Sequence, residues 1–383
     1  MNIAFLIAKD LFQGGGGIEK YTREVGRRLV ARGHRVLVYS TRGTEPNCGT
    51  WEGIEIRWLP SLRPHWLEKL SGSFCAAAQA MWADVCPDLY HLHSVAAGAM
   101  APLLGLRKVP CVLQMHGIEW QRSRWGFAGK NTLRLLESIS FLSASAVTAV
   151  SRSQCEFYQR RYHSPITFIP TGTEAREPTP PSQLAGLGIE PGRYFFTAVR
   201  LVREKGIHYL IPAFRKCATG WKLVIAGAAG DDGSYLEMLR QLAGKDERIL
   251  FLGHVREPLL GELYSHAGAY VQASEIEGMA ISLLDAMSYG RCCIVSDIAE
   301  NLDALGKAGL TFRSSDIDDL ACQMHRAADL PDCAALLGEA ARTRALAHFS
   351  WDTVTAQLEG LYLRTIEMKL SRNDAQRNQA KPV

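Results

Sequence analysis

Short apolar runs and helical repeats alternate along this chain from its first residues. The run "NIAFLIA" reads as a strand. A row of glycines follows, Gly14 to Gly17, and then "IEKYTREVGRRLVARG", in which Ile18, Tyr21, Val25, Leu29 and Val30 recur at helical spacing until Gly33 stops the helix. "HRVLVYS", "DLYHLHS" and "PCVLQMHG" have strand character. "NTLRLLESISFLSAS" reads as a helix, "AVTAVS" as a strand, "SQCEFYQRRYH" as a helix capped by Ser151, and "ITFIPTG" as the last strand of the series. Residues 174–192, "EAREPTPPSQLAGLGIEPG", break the pattern with Pro, Gly and small polar residues, and a linker is expected there.

The alternation then restarts. "YFFTAV", "WKLVIAG", "RILFLG", "AYVQAS" and "RCCIVSD" are strands, separated by the helical runs "GIHYLIPAFRKC", "SYLEMLRQLAG", "LLGELYSHAG" and "MAISLLDAMSYG". A long amphipathic helix closes the pattern, with Trp351, Val354, Leu358 and Leu361 on one stripe. The boundaries expected are a first domain at 1–173, the linker at 174–192, a second domain at 193–349, a helix at 350–370 and a polar tail at 371–383. Strands alternating with helices imply parallel sheets covered on both faces. The fold class expected is α/β, with two Rossmann-like, doubly wound domains facing across a cleft and the closing helix crossing back to the first.

Composition adds one thing to this picture. The net charge of +4 over 383 residues is uneven. Residues 1–180 hold 21 Lys+Arg against 14 Asp+Glu, a net of +7, and the remainder holds 22 against 25, a net of −3. The basic half suits an anionic lipid surface or a phosphorylated ligand. Ten cysteines without a C-x-x-C pair read as reduced thiols of a cytoplasmic protein. "MNIAFLIAKDLF" reads as a first strand, not a signal peptide, and no apolar run reaches the ~20 residues of a membrane span. Neither half carries a dinucleotide fingerprint or a phosphate-loop motif, which argues against hydride transfer and against a P-loop NTPase. No helix carries a dense basic face, which argues against nucleic acid.

The candidate chemistry lies at the strand ends. Gly16 and Gly17 open the first helix, where backbone can approach a ligand and an anion is favoured, and Glu19 sits in its first turn. His91 and His93 share one side of a strand, and His116 ends another beside Gly117. With no carboxylate or cysteine at ligand spacing, these histidines do not read as a metal site. Arg200 and Lys205 follow the first strand of the second domain and suit a diphosphate. Glu277 precedes Gly278, Met279 and Ala280, where a helix start is expected. Asp285 then lies two turns along, on the same face as Glu277. Cations beside a carboxylate suit a sugar carried on a diphosphate.

These residues carry a resemblance. "EGMAISLLDAMSYGRCCIVSD", Glu277 to Asp297, resembles the acid-x7-acid signature of glycosyltransferase family 4, the retaining transferases of GT-B fold (glycosyl transferases group 1). "GGIE" at 16–19, "MHG" around His116, "VRLVREKG" with Arg200 and Lys205, and the closing "FSW" match further family segments in the correct order. Asp285 stands where the family usually has Glu, Thr171 replaces the Asn of "IPNG", and "SDIAEN" departs from the usual turn.

The resemblance implies a metal-independent, retaining hexosyltransferase using a UDP-, GDP- or dTDP-linked sugar and no cofactor. Its acceptor would be a glycan or lipid-linked saccharide of cell-surface polysaccharide or lipopolysaccharide synthesis. It implies an acceptor-binding first domain and a nucleotide-sugar-binding second one. Glu277, His116, Arg200 and Lys205 would be catalytic; Gly16, Gly17, Gly278, Met279, Ala280 and Asp285 would hold the donor; Glu19 and His93 would hold the acceptor. A cytoplasmic enzyme, peripheral on the anionic inner membrane face, is expected. There "WQRSRWGFAGK", with Trp120 and Trp125 among Arg122, Arg124 and Lys130, would touch lipid. A non-hydrolysing nucleotide-sugar epimerase of the same architecture is the alternative.

Overall fold

Two sheets organise the chain. The first has eight strands: β1 Asn2–Leu6, β2 Arg35–Thr41, β3 Cys48–Trp51, β4 Ile54–Leu59, β5 Leu89–His93, β6 Cys111–Met115, β7 Ala146–Ala149 and β8 Ile166–Phe168. Their spatial order is β3-β4-β2-β1-β5-β6-β7-β8, parallel except for the β3–β4 edge. The second has β9 Tyr194–Ala198, β10 Lys222–Ala226, β11 Ile249–Gly253, β12 Ala269–Gln272, β13 Cys293–Ser296 and β14 Leu310–Phe312, in the order β11-β10-β9-β12-β13-β14, all parallel. This is a computed structural model; it describes every residue except 8–10, 13–15, 42–47, 61–64, 84, 123–124, 218, 231–232 and 380–383. Gly14, Gly15 and Arg124 therefore lie outside the described residues.

The central strands are continuously apolar because helices cover both faces. β5 and β6 are buried at every position, as is β13, which includes Cys293. The described cysteines are free thiols. In each sheet the strand order reverses once, between β1 and β5 in the first and between β9 and β12 in the second. Loops leaving the carboxyl ends of two such strands diverge to opposite faces, and the crevice between them is where doubly wound sheets hold ligands.

The chain divides into two units: Met1–Thr171 with Trp351–Val383, and Gly172–Ser350. The closing helix, Trp351–Gln379, belongs to the first unit and runs beyond the 350–370 expected from the sequence, into the segment read as a polar tail. Its stripe of Trp351, Val354, Leu358 and Leu361 is buried. Ion pairs fasten it to the first helix and its end: Arg28 Nε to Asp352 Oδ1 at 3.0 Å, Arg32 Nη1 to Glu359 Oε2 at 2.7 Å, and His34 Nε2 to Glu359 Oε1 at 2.7 Å. Such partly exposed pairs contribute about 0–1 kcal/mol each. Each large apolar side chain buried contributes about 1.5–3 kcal/mol. The apolar stripe therefore dominates, and the pairs fix its register.

The segment read as a linker, 174–192, is fastened to the second unit. The Thr179 amide donates to Ser265 Oγ at 2.9 Å, and Ser182 Oγ and the Gln183 amide donate to the two oxygens of Glu262, each at 2.8 Å. Leu184 and Ile189 are buried. The Pro and Gly content marks an irregular path, and the two apolar residues anchor it.

Candidate functional site

In the second unit the site forms at the β9/β12 switch point. β9 ends at Ala198, and the chain passes Arg200 and a 3-10 turn, Arg203–Lys205, before the helix Ile207–Lys216. Gly206 joins turn to helix with φ +67°, and a Cβ there would run into the carbonyl of Ala273. Only glycine meets both conditions. This close approach seats the turn carrying Lys205 against the end of β12, and the Glu275 amide donates to the Glu204 carbonyl at 2.9 Å to hold it there.

Lys205 consequently meets Glu277: Nζ lies 2.5 Å from Oε1, with side-chain exposures of 23% and 7%. The same oxygen accepts from Gln272 Nε2 at 2.6 Å and from Ser274 Oγ at 2.7 Å. Beneath them Tyr270 OH donates to Gln272 Oε1 at 3.0 Å, and Gln272 Nε2 also reaches Ser274 Oγ at 2.8 Å. Tyr270 and Gln272 alternate in β12 and share one face, and Ser274 follows two residues past its end and joins the same hydrogen-bonded row. The result is a buried polar ladder that leads to a carboxylate and holds it in place. Charge-assisted hydrogen bonds of this kind are shorter and stronger than neutral ones, and they fix the direction of the carboxylate. The Lys205 ammonium retains two further protons to offer.

The remaining residues divide. Arg200 is exposed past the end of β9 and has no side-chain partner among the described residues. Met279 and Ala280 are buried, but the helix begins at Ile281 with Ala280 as N-cap, two residues later than expected. Glu277 therefore stands outside the helix, and the expectation that it shares a helical face with Asp285 is corrected. Asp285 Oδ1 accepts instead from Thr173 Oγ1 at 3.2 Å. Burial works against the charge of Arg176, yet Asp285 foremost, then Glu174, raises its pKa above the ordinary value. The two acids serve different neighbours.

In the first unit the corresponding loops gather histidines. His91 and His93 end β5, and His116 follows β6 directly. His93 Nδ1 lies 2.8 Å from His116 Nε2, and His93 Nε2 lies 3.3 Å from Thr22 Oγ1. His91 Nδ1 meets Tyr362 OH of the closing helix at 2.5 Å. Phe5 stacks on both β5 imidazoles, with ring centroids 4.9 and 5.8 Å away, and Tyr21 meets His93, His116 and Trp351 edge-on.

Burial pushes all three imidazoles toward the neutral form. His91 is lowered to about 3, with His116 adding to the effect; His116 is lowered to about 3, with Lys69 adding; His93 is lowered well below its ordinary value. His93 is 1% exposed and engaged at both nitrogens, so its expected role as an acceptor contact is corrected: it supports His116, which is half-buried. Glu19 lies in the first turn of the helix Gly17–Ala31 and is buried, folded back on Gly16, where any Cβ would collide with its carboxylate. Among the described residues no group of three or more His, Cys, Asp or Glu is placed to hold a metal ion.

Residues 16–172 match the glycosyl transferase 4-like domain, and residues 184–344 match glycosyl transferases group 1. The chain belongs to glycosyltransferase family 4. A glycogen synthase of Mycobacterium tuberculosis is 26% identical over 397 aligned positions, covering 91% of each chain. The structure of sucrose-phosphate synthase from Thermosynechococcus elongatus superposes with a TM-score of 0.84 at 22% identity, covering 96% of this chain and 100% of that one. Anabaena HepE in complex with UDP and glucose gives 0.77 at 17% identity, covering 94% and 99%. These likenesses show the GT-B fold, and they do not favour the epimerase alternative.

Several of these contacts leave little trace in the sequence. The ladder under Glu277 has a signal: polar residues at period two in a strand that should be apolar on both faces. Thr22, Tyr21 and Tyr362 have none, because helical periodicity marks them only as inward-facing. The loop read as a lipid contact is also built differently. Trp120 donates from Nε1 to Glu137 Oε2 at 3.2 Å under the Arg134 guanidinium, and Arg122 pairs with Glu119 at 3.3 Å. The exposed apolar residues nearby are Phe127, Leu135 and Leu142 of the helix Phe127–Ser143. Among the described residues no helix is long and apolar enough to cross a membrane.

Proposed function

We propose that this transferase moves a hexosyl group from a nucleotide diphosphate sugar to a saccharide acceptor, with retention at the anomeric carbon and no metal ion. The observation that carries the reading is the Lys205–Glu277 pair at the β9/β12 switch point, anchored on a neutral polar ladder. A cation beside an oriented carboxylate suits a ligand that is anionic at one end and polyhydroxylated at the other. Lys205, with exposed Arg200, would neutralise charge growing on the departing diphosphate, the electrostatic task otherwise given to a metal. Glu277 would orient the sugar. The backbone of Gly278, Met279 and Ala280, with Asp285, would serve the rest of the donor; Gly16 and Gly17 would admit it closely, His116 would contact its sugar, and Glu19 would face the acceptor.

The acceptor proposed is a lipid-linked saccharide of cell-surface polysaccharide or lipopolysaccharide synthesis, met at an anionic cytoplasmic membrane face. Phe127, Leu135 and Leu142, beside Lys130 and Arg134 on the same helix, support that part of the reading. Apolar side chains flanked by cations suit a headgroup interface.

A screen of UDP-, GDP- and dTDP-sugars by thermal denaturation, followed by NMR of the product linkage with and without EDTA, tests the reaction. One donor should raise the midpoint and give a retained linkage in chelator. An inverted linkage, or activity abolished by EDTA and restored by Mn²⁺, would overturn the corresponding part.

A further inference from the structure

The placement of protons along the histidine file follows from its partners. Thr22 has one hydroxyl proton and two neighbours, the Ile18 carbonyl at 2.9 Å and His93 Nε2 at 3.3 Å. If the proton goes to Ile18, the Thr22 oxygen accepts from His93 Nε2–H. A neutral imidazole has a single N–H, so His93 Nδ1 is then bare. His116 Nε2, 2.8 Å away, must donate to it. The proton of His116 is thereby committed, and its Nδ1 is left as a lone pair. The reverse arrangement sends the Thr22 proton to His93 and leaves the nearer bond to Ile18 unmade. Three hydrogen bonds compete with two. Thr22 is fully buried and His93 nearly so, where an additional bond counts most.

We infer that Thr22 and His93 are positioning residues that fix His116 with Nδ1 unprotonated, making it a hydrogen-bond acceptor for a hydroxyl of the bound sugar. The identity of the ligand rests on the reading above; the tautomer does not. Nδ1 of half-buried His116 has no partner among the described residues. Burial and the nearby Lys69 charge keep the ring from taking a second proton near neutrality. A lone pair welcomes a hydroxyl proton and repels phosphate or carboxylate oxygens, so His116 addresses the sugar and not the diphosphate.

The test reads the ring nitrogens directly. The full-length protein is labelled with ¹⁵N-histidine, and two-bond ¹⁵N–¹H correlations are recorded without ligand, with His93→Gln and His116→Gln assigning the signals. The wild type should show His116 protonated at Nε2 and bare at Nδ1. Thr22→Val should invert or mix the His93 and His116 tautomers, and Thr22→Ser should preserve them. With the donor found in the screen, KM should rise roughly tenfold in Thr22→Val and stay within about twofold in Thr22→Ser. A protonated Nδ1 in the wild type overturns the inference whether or not the valine variant folds. So does an unchanged tautomer in a folded Thr22→Val. A bare Nδ1 in a protein that binds no nucleotide sugar would overturn the functional reading instead.

Discussion

The two switch points of this transferase occupy equivalent places in equivalent sheets and are furnished with opposite electrostatics. The first unit gathers three imidazoles, all driven neutral by burial. The second pairs a lysine with a carboxylate over amide and hydroxyl donors. Desolvation acts on both regions. Where no opposite charge is at hand, burial drives the titratable group neutral; where a partner and hydrogen bonds are supplied, they offset the cost of burying a charge. A hydroxyl-rich ligand suits the first environment and an anionic one the second.

The sharpest way to break this contrast is Lys205→Met. It leaves Glu277 without its cation, and transfer should fall about 100- to 1,000-fold, measured as kcat on protein whose fold is verified by circular dichroism. Stability should fall by about 3 kcal/mol in urea, because one partner of a shielded pair is stranded. The double variant Lys205→Met, Glu277→Met should recover much of that stability and none of the activity. A double variant as unstable as the single one would mean that the pairing is not what sets Glu277's cost.

Acid probes the other region. A histidine whose folded pKa lies below its unfolded value takes up a proton on unfolding. The stability that comes from keeping His91 and His116 neutral is therefore fully present above about pH 6.5, and is lost as pH falls from there toward about 3, with His93 acting in the same direction. Each histidine contributes a slope of up to about 1.4 kcal/mol per pH unit. Urea midpoints between pH 7 and 5 should show the decline, and His91→Gln should reduce its slope by up to one proton. An equal slope in that variant would mean His91 titrates normally.

The smallest effect expected is at the second acid. Thr173→Val removes one bond to Asp285 and should cost about 1 kcal/mol in thermal stability. A loss as large as that of Lys205→Met would join Asp285 to the charged node.

The alternation of strands and helices was legible because parallel strands must be apolar on both faces, and the strand ends then located Lys205, Glu277 and His116. Partnership was not legible. Nothing in "EIEG" says that the helix waits until Ile281, since bends at 275–276 and 278 leave no periodicity; the spacing of Glu277 and Asp285 was therefore read as a shared face. His93 looked available in "HLHS", and its burial is set by Phe5, Tyr21 and Thr22, all distant in sequence. The irregular 174–192 segment read as a linker because its anchors, Ser265 and Glu262, lie far along the chain.

The split of the first unit between the two ends of the chain sets a timetable. Trp351 covers Tyr21, and Tyr362 reaches His91, yet both are made only after Gly172–Ser350 has been synthesised. At typical rates the ribosome needs roughly ten to forty seconds for that stretch. During that interval a nascent chain carries all eight strands of the first sheet without the helix that closes it, while the whole of the intervening unit is made. The part of the molecule that starts first is thus completed last.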